Sequence, residues 1–169
     1  VRVAIIDNAI EPEVYKPVEH WSRWLSVPWR AFRAPDGALP AGISDFSHYI
    51  LTGSEASILE RETWAEAEAD LVRQALAEGA SILGSCYGHQ LLAYALFGLE
   101  RVGRCPAPEV GWMPVEIQAA SPLLGPAGRA FVFQHHFDEV RNLPAGCSAL
   151  AASEACSVQA FGLDGRNVW

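Results

Sequence analysis

The chain has 169 residues, of which half are hydrophobic and 19% charged, with 12 Lys and Arg against 20 Asp and Glu for a formal net charge of −8. That composition excludes a disordered polyelectrolyte, and the length suits one domain whose core needs no disulfide or metal to fold. One lysine (Lys16), no basic run, no apolar stretch beyond residues 91–99 and no basic segment ahead of an apolar one argue against nucleic acid, a membrane span and a signal peptide.

The first seven residues, Val-Arg-Val-Ala-Ile-Ile-Asp, are apolar and β-branched, and predict a buried strand of a parallel sheet. A region rich in Trp and Pro follows over residues 8–42, and within it Pro17, Val18, Trp21, Trp24 and Leu25 suit a short helix with proline at its first position. Residues 48–51 predict a second strand, ended by Thr52, Gly53 and Ser54. Thr63 and Glu66 have capping-box spacing, and Trp64, Ala67, Leu71, Val72, Ala75 and Leu76 make one helical face that Gly79 should close. A third strand over residues 81–83 runs into a glycine-bounded turn at Cys86, and a helix over 90–97 ends at Gly98. Beyond it, residues 112–117, 129–134, 148–152, 157–161 and 167–169 are short strand-like runs between turn residues. The pattern predicts an α/β fold, a mostly parallel sheet flanked by helices, with an antiparallel strand-rich extension.

The chemistry concentrates at Gly84-Ser85-Cys86-Tyr87-Gly88. Glycines two positions either side of the cysteine leave room for a sharp strand-to-helix turn, the thiol counterpart of a nucleophile elbow. Such a turn sets the sulfur at a helix N-terminus, where the dipole and free N–H groups favour the thiolate and the N–H of Tyr87 can face an oxyanion. A structural cysteine in a tight turn is the competing reading. The strand before it and the helix after it favour a nucleophile. Gly53, at the end of the neighbouring strand, could bring a second N–H to the same oxyanion, or could simply end that strand. His135 and His136 are adjacent on a predicted strand, so they point to opposite faces and make poor joint ligands for one metal. No metal or cofactor is required. The four cysteines lack paired CxxC spacing, which suits a reducing, cytoplasmic setting.

The run from Gly84 to Gln90 resembles the G-x-C-x-G-H-Q nucleophile motif of class I, triad-type glutamine amidotransferases. In family order, Thr52-Gly53-Ser54 resembles the oxyanion-strand motif and Glu109-Val110-Gly111-Trp112 the E-x-G-W segment. His136-Phe137-Asp138 resembles the H-x-D pocket segment, and residues 143–146 the L-P-x-G turn. The likeness is nearest to stand-alone domains similar to the glutaminase domain of GMP synthase, and it implies a flavodoxin-like three-layer fold. It further implies that Cys86 attacks the glutamine side-chain amide, with the N–H groups of Gly53 and Tyr87 holding the oxyanion. Gln90 and the main chain at Phe137 and Asp138 would recognise the amino-acid end of the substrate, with Glu55 nearby. His89 is read as a structural member of the turn. The implied partners are a small-molecule substrate, glutamine or a γ-glutamyl compound, and a separate synthetase or aminating subunit.

The family takes its general base from a later H-P-E motif, which this sequence lacks. The expectation is therefore one amidotransferase-like domain over residues 1–169 that stops short of its natural C-terminus. The alternatives are a γ-glutamyl peptide hydrolase with the same elbow, or a non-catalytic glutamine-binding domain. Substitution of His135 or His136 as the base is disfavoured, because His136 falls at a pocket position.

Overall fold

The computed structural model describes residues 1–169. β1 (Val3–Asp7) buries Val3, Ala4, Ile5 and Ile6 in succession, as a strand covered on both faces must. It lies between β2 (Trp29–Arg33) and β3 (His48–Leu51), with β4 (Ser81–Gly84) beyond β3, all parallel in the order β2-β1-β3-β4. Residues 167–169 extend this sheet past β4. Ile82 N–H donates to Asn167 O at 2.9 Å, Trp169 N–H to Ile82 O at 3.0 Å and Gly84 N–H to Trp169 O at 2.8 Å. The build-up of such a sheet reverses direction between β1 and β3, and a crevice opens there at the carboxyl ends of the strands.

Side-chain alternation sorts the two faces. Val3, Ile5 and Ile50 pack against Val18, Trp21 and Leu25 in and after α1 (Pro17–Ser22), which opens with proline as predicted. Ala4, Ile6, Tyr49, Leu51 and Ile82 face the other way, into a larger core with Leu71 and Val72 of α2 (Thr63–Ala77) and Leu91 and Leu92 of α3 (Tyr87–Phe97). An antiparallel sheet, β6-β5-β7-β8, covers one end of that core through Val102, Val140 and Phe161. Its strands are β5 (Val102–Ile117), β6 (Gly128–Val140), β7 (Cys147–Ala152) and β8 (Ala160–Leu163). No helix is long and apolar enough to cross a membrane.

The α/β class and its two-part sheet agree with the sequence reading, but several elements differ. β2 was not predicted: it is an edge strand whose residues are exposed or half-buried, so no apolar pattern marks it. The ribbon of β5 and β6 is far longer than its predicted pieces, and Pro106 and Pro108 fall in its register shift between Arg104 and Glu109, where a missing N–H costs least. The run predicted over 157–161 shifts to β8, at Ala160–Leu163. α3 begins at Tyr87, directly after the cysteine. The capping box at Thr63 does not form, because Thr63 is already helical and Glu66 turns to the hydroxyl of Tyr94.

The buried face of α2 also differs, since Ala67 is exposed and Ala65, Ala69 and Glu68 are buried. Glu68 has no exposed surface and its Oε1 accepts from Asn8 Nδ2 at 3.1 Å. Asn8 donates its own N–H to Thr52 Oγ1 at 2.9 Å and its amide to Thr52 O at 3.2 Å, so one helix carboxyl ties together the ends of β1 and β3. Burial pushes the Glu68 carboxyl up to about 8, against a smaller downward pull from Asn8. A folded-state value above the unfolded one means that the native state binds the extra proton, so this group makes stability fall as pH rises from about 4.5 to about 8. Glu68→Gln should remove that dependence: its melting temperature relative to the parent should rise steadily between pH 5 and pH 8. Thermal melts across that range read the difference, and a flat difference would refute a protonated Glu68.

Candidate functional site

Cys86 sits between β4 and α3 with φ +52° and ψ −110°, in the left-handed region that a side chain disfavours. Strain of this kind costs of the order of 1–3 kcal/mol and persists only where surroundings over-determine it. Here they do. A Cβ on Gly84 would lie 2.5 Å from Gly88 O, and one on Gly88 would lie 2.3 Å from Leu51 O. The first turn of α3 therefore presses directly onto β3 and β4, with Gly88 N–H donating to Thr52 O at 3.0 Å.

The Cys86 side chain is reachable by solvent, and the main-chain N–H groups of Tyr87 and Ser54 favour its thiolate. Its thiol lies 3.9 Å from the main-chain O of His135. The expectation of a depressed thiol pKa is not met. Desolvation raises it, the two N–H groups pull it back, and the charge of Asp138 adds to the rise, leaving the thiol above its ordinary value. Burial outweighs the helix terminus.

Gly53 occupies the position expected of it, at the end of β3. The N–H aimed at the sulfur belongs to the next residue, Ser54. Gly53 supplies room instead: a Cβ there would lie 2.7 Å from Tyr15 Oη and 3.4 Å from Cys86 Cβ. Gln90 is buried and its Nε2 donates to Asp138 O at 2.9 Å, which brings two predicted pocket residues together. Asp138 is held by Ser57 Oγ, donating to Oδ2 at 2.5 Å, and by Arg104 Nη1, 2.9 Å from Oδ1. Phe137 is half exposed, its ring edge-on to His135 at 5.7 Å. Glu55 turns away from these groups, accepting the N–H of Ile10 at 2.9 Å and of Glu11 at 3.4 Å in the loop after β1.

The histidines divide as strand geometry requires. His135 faces outward, while His136 points inward to Glu109 Oε2 at 3.1 Å and Cys105 Sγ at 3.4 Å. His89 is half-buried against Phe161, and desolvation pushes its imidazole down to about 4, so it is neutral. No histidine ring hydrogen-bonds Cys86. Tyr15, Ser57 and Arg104 escaped the sequence reading, and Ser54 entered it only as part of the strand-end motif. Ser54 was one position from the glycine that drew attention, whereas the other three are loop or strand residues with no motif around them.

The family description "Glutamine amidotransferase class-I" matches residues 44–165, and the chain belongs to that family. The GMP synthase [glutamine-hydrolyzing] of Aeropyrum pernix is 36% identical over 143 residues, which are 83% of this chain and 25% of that protein. Gamma-glutamyl peptidase 4 of Arabidopsis thaliana is 27% identical over 143 residues, 80% of this chain and 57% of the relative. The crystal structure of a glutamine amido transferase from Methylobacillus flagellatus superposes with a TM-score of 0.78 at 29% identity, covering 96% of this chain and 66% of that one. The chain thus spans about a quarter of the length of the GMP synthase relatives it matches.

Because the Asp138 charge raises the Cys86 pKa, Asp138→Asn should lower it. The pH profile of Cys86 alkylation by iodoacetamide should then shift to lower pH, and an unmoved or raised midpoint would contradict this account of the electrostatics.

Proposed function

We propose that residues 1–169 form one glutaminase unit, in which Cys86 hydrolyses the side-chain amide of glutamine to glutamate and ammonia. The observation that carries this reading is a cysteine held in a strained turn at the start of α3 and packed beside the end of β3 at Gly53, where the peptides of Tyr87 and Ser54 border the sulfur. Donors fixed before the reaction stabilise charge as it develops on the substrate carbonyl, with no reorganisation at that moment.

The thiol first gives its proton to a base. The thiolate adds to the γ-carbon, and the carbonyl electron pair moves to oxygen, where the N–H groups of Tyr87 and Ser54 receive it. Collapse expels ammonia, which takes up the proton, and leaves a γ-glutamyl thioester on Cys86. Water then adds to the same carbon and the sulfur leaves, regenerating the thiol and releasing glutamate. In this scheme Gly53 keeps the approach clear, while Gln90 and the main chain at Phe137 and Asp138 form the recess for the amino-acid end of glutamine. Glu55 acts on the pocket through the loop it anchors. The raised thiol pKa makes a base at Sγ necessary. The half-buried, neutral His89 and the occupied His136 do not fit that role.

The ammonia would pass to a synthetase or aminating subunit, a reading supported by the likeness to GMP synthases of which this chain spans a part. Four free thiols suit a reducing cytoplasm. A γ-glutamyl peptide hydrolase is the second reading, favoured by the likeness to gamma-glutamyl peptidase 4. Glutamine turnover by the full-length protein is the test. Cys86→Ala should lower it by about a thousandfold or more. A γ-glutamyl dipeptide assayed alongside distinguishes the two readings by the ratio of kcat/KM, and glutamine that binds without turnover would establish a binding domain instead.

A further inference from the structure

Tyr15 stands at the mouth of this site without any part in the scheme above. It lies in the loop between β1 and α1, in a turn closed by Val14 N–H and Tyr15 N–H, each donating to Glu11 O at 3.0 Å. The start of that turn is pinned by Glu55, whose two carboxylate oxygens receive the N–H groups of Ile10 and Glu11 at 2.9 and 3.4 Å. Glu55 follows the strand end that carries Gly53 and Ser54, so one carboxylate fixes the Tyr15 loop to the loop that supplies an N–H to the sulfur. The outcome is a close approach. The Tyr15 hydroxyl lies 2.7 Å, and Cys86 Cβ 3.4 Å, from the point where a Gly53 side chain would begin.

The hydroxyl hydrogen-bonds no other group of the protein, and the residue is 38% exposed, so its donor is free. Burial first, and then the charges of Cys86, Glu55 and Asp7, raise the phenol to about 12. It therefore stays protonated, a donor and not a base. A phenol beside a nucleophile, with no acceptor in the protein, is placed to find one in the ligand.

We propose that Tyr15 is a substrate-contacting residue whose hydroxyl donates a third hydrogen bond to the carbonyl oxygen of the γ-glutamyl group on Cys86, and that Glu55 is the positioning residue that holds it there. The proposal rests on Cys86 acting as the nucleophile. Tyr15→Phe keeps the ring and removes only the donor. A hydrogen bond that strengthens as charge develops affects turnover more than binding, so kcat for glutamine should fall about tenfold while KM changes by less than about threefold.

Glu55→Ala should lower kcat comparably in the parent, and Glu55→Gln, which retains one acceptor, should recover part of the loss. Placed in the Tyr15→Phe background, Glu55→Ala should cost little more, because a residue that acts through another has nothing left to position. Alkylation of Cys86 by iodoacetamide, which needs no oxyanion donor, should run at the parental rate in Tyr15→Phe. Parental kcat in Tyr15→Phe, with Cys86→Ala inactive, would overturn this proposal and leave the glutaminase reading standing. Additive losses in the double variant would overturn the role of Glu55. A full-length parent that turns over neither glutamine nor a γ-glutamyl dipeptide would overturn both.

Discussion

The structure depends on how closely the first turn of α3 approaches the ends of β3 and β4. Only hydrogen atoms fit where Gly84 meets Gly88 and where Gly88 meets the carbonyl of Leu51. That contact determines where the helix starts, and the start of the helix forces Cys86 into positive φ. From the same contact, the N–H of Tyr87 turns to the sulfur, and Gly88 N–H takes the carbonyl of Thr52. The loop carrying Ser54 is thereby fixed relative to the elbow. A larger residue at either glycine would move all of these groups at once.

A second constraint comes from behind the loop. Glu68 reaches Thr52 through Asn8, so the end of β3 is held from α2 as well as from α3. A buried carboxyl is costly unless it is neutral or paired, and this one meets the condition by keeping its proton. Precision at the loop is thus gained at some expense in stability at neutral pH. The antiparallel sheet acts comparably from the front. It brings Asp138 near the thiol, ties that carboxylate to Ser57 and Arg104, and offers its main-chain oxygen to Gln90. The Asp138 charge from that sheet adds to desolvation by burial, which is why a cysteine at a helix N-terminus does not have the low pKa its position suggests.

Much of this was legible in the residues. Four parallel strands were marked by apolar runs except β2, whose edge position removes the need for buried residues on both faces. The elbow was legible because its two glycines answer a local steric demand and leave a local spacing. The family resemblance named Gln90 and Asp138 together, and the structure brings them into hydrogen-bond contact. The strand-end N–H that favours the thiolate is that of Ser54, one residue beyond Gly53, since spacing alone cannot say which peptide of a strand end faces a sulfur in the turn after another strand. Glu55 was placed near the substrate, but its carboxylate is spent on the loop after β1.

By itself the sequence determined the fold class, the family and the glycine-bounded turn at Cys86, because strand burial, turn glycines and helix periodicity are short-range demands that each segment meets with its own residues. Tertiary structure alone decided the electrostatics of that cysteine, the protonation of Glu68 and the arrival of Tyr15 beside Gly53. Each of these depends on groups 32 or more positions apart in the chain, and desolvation and Coulomb interaction act through space. No local pattern of residues records them.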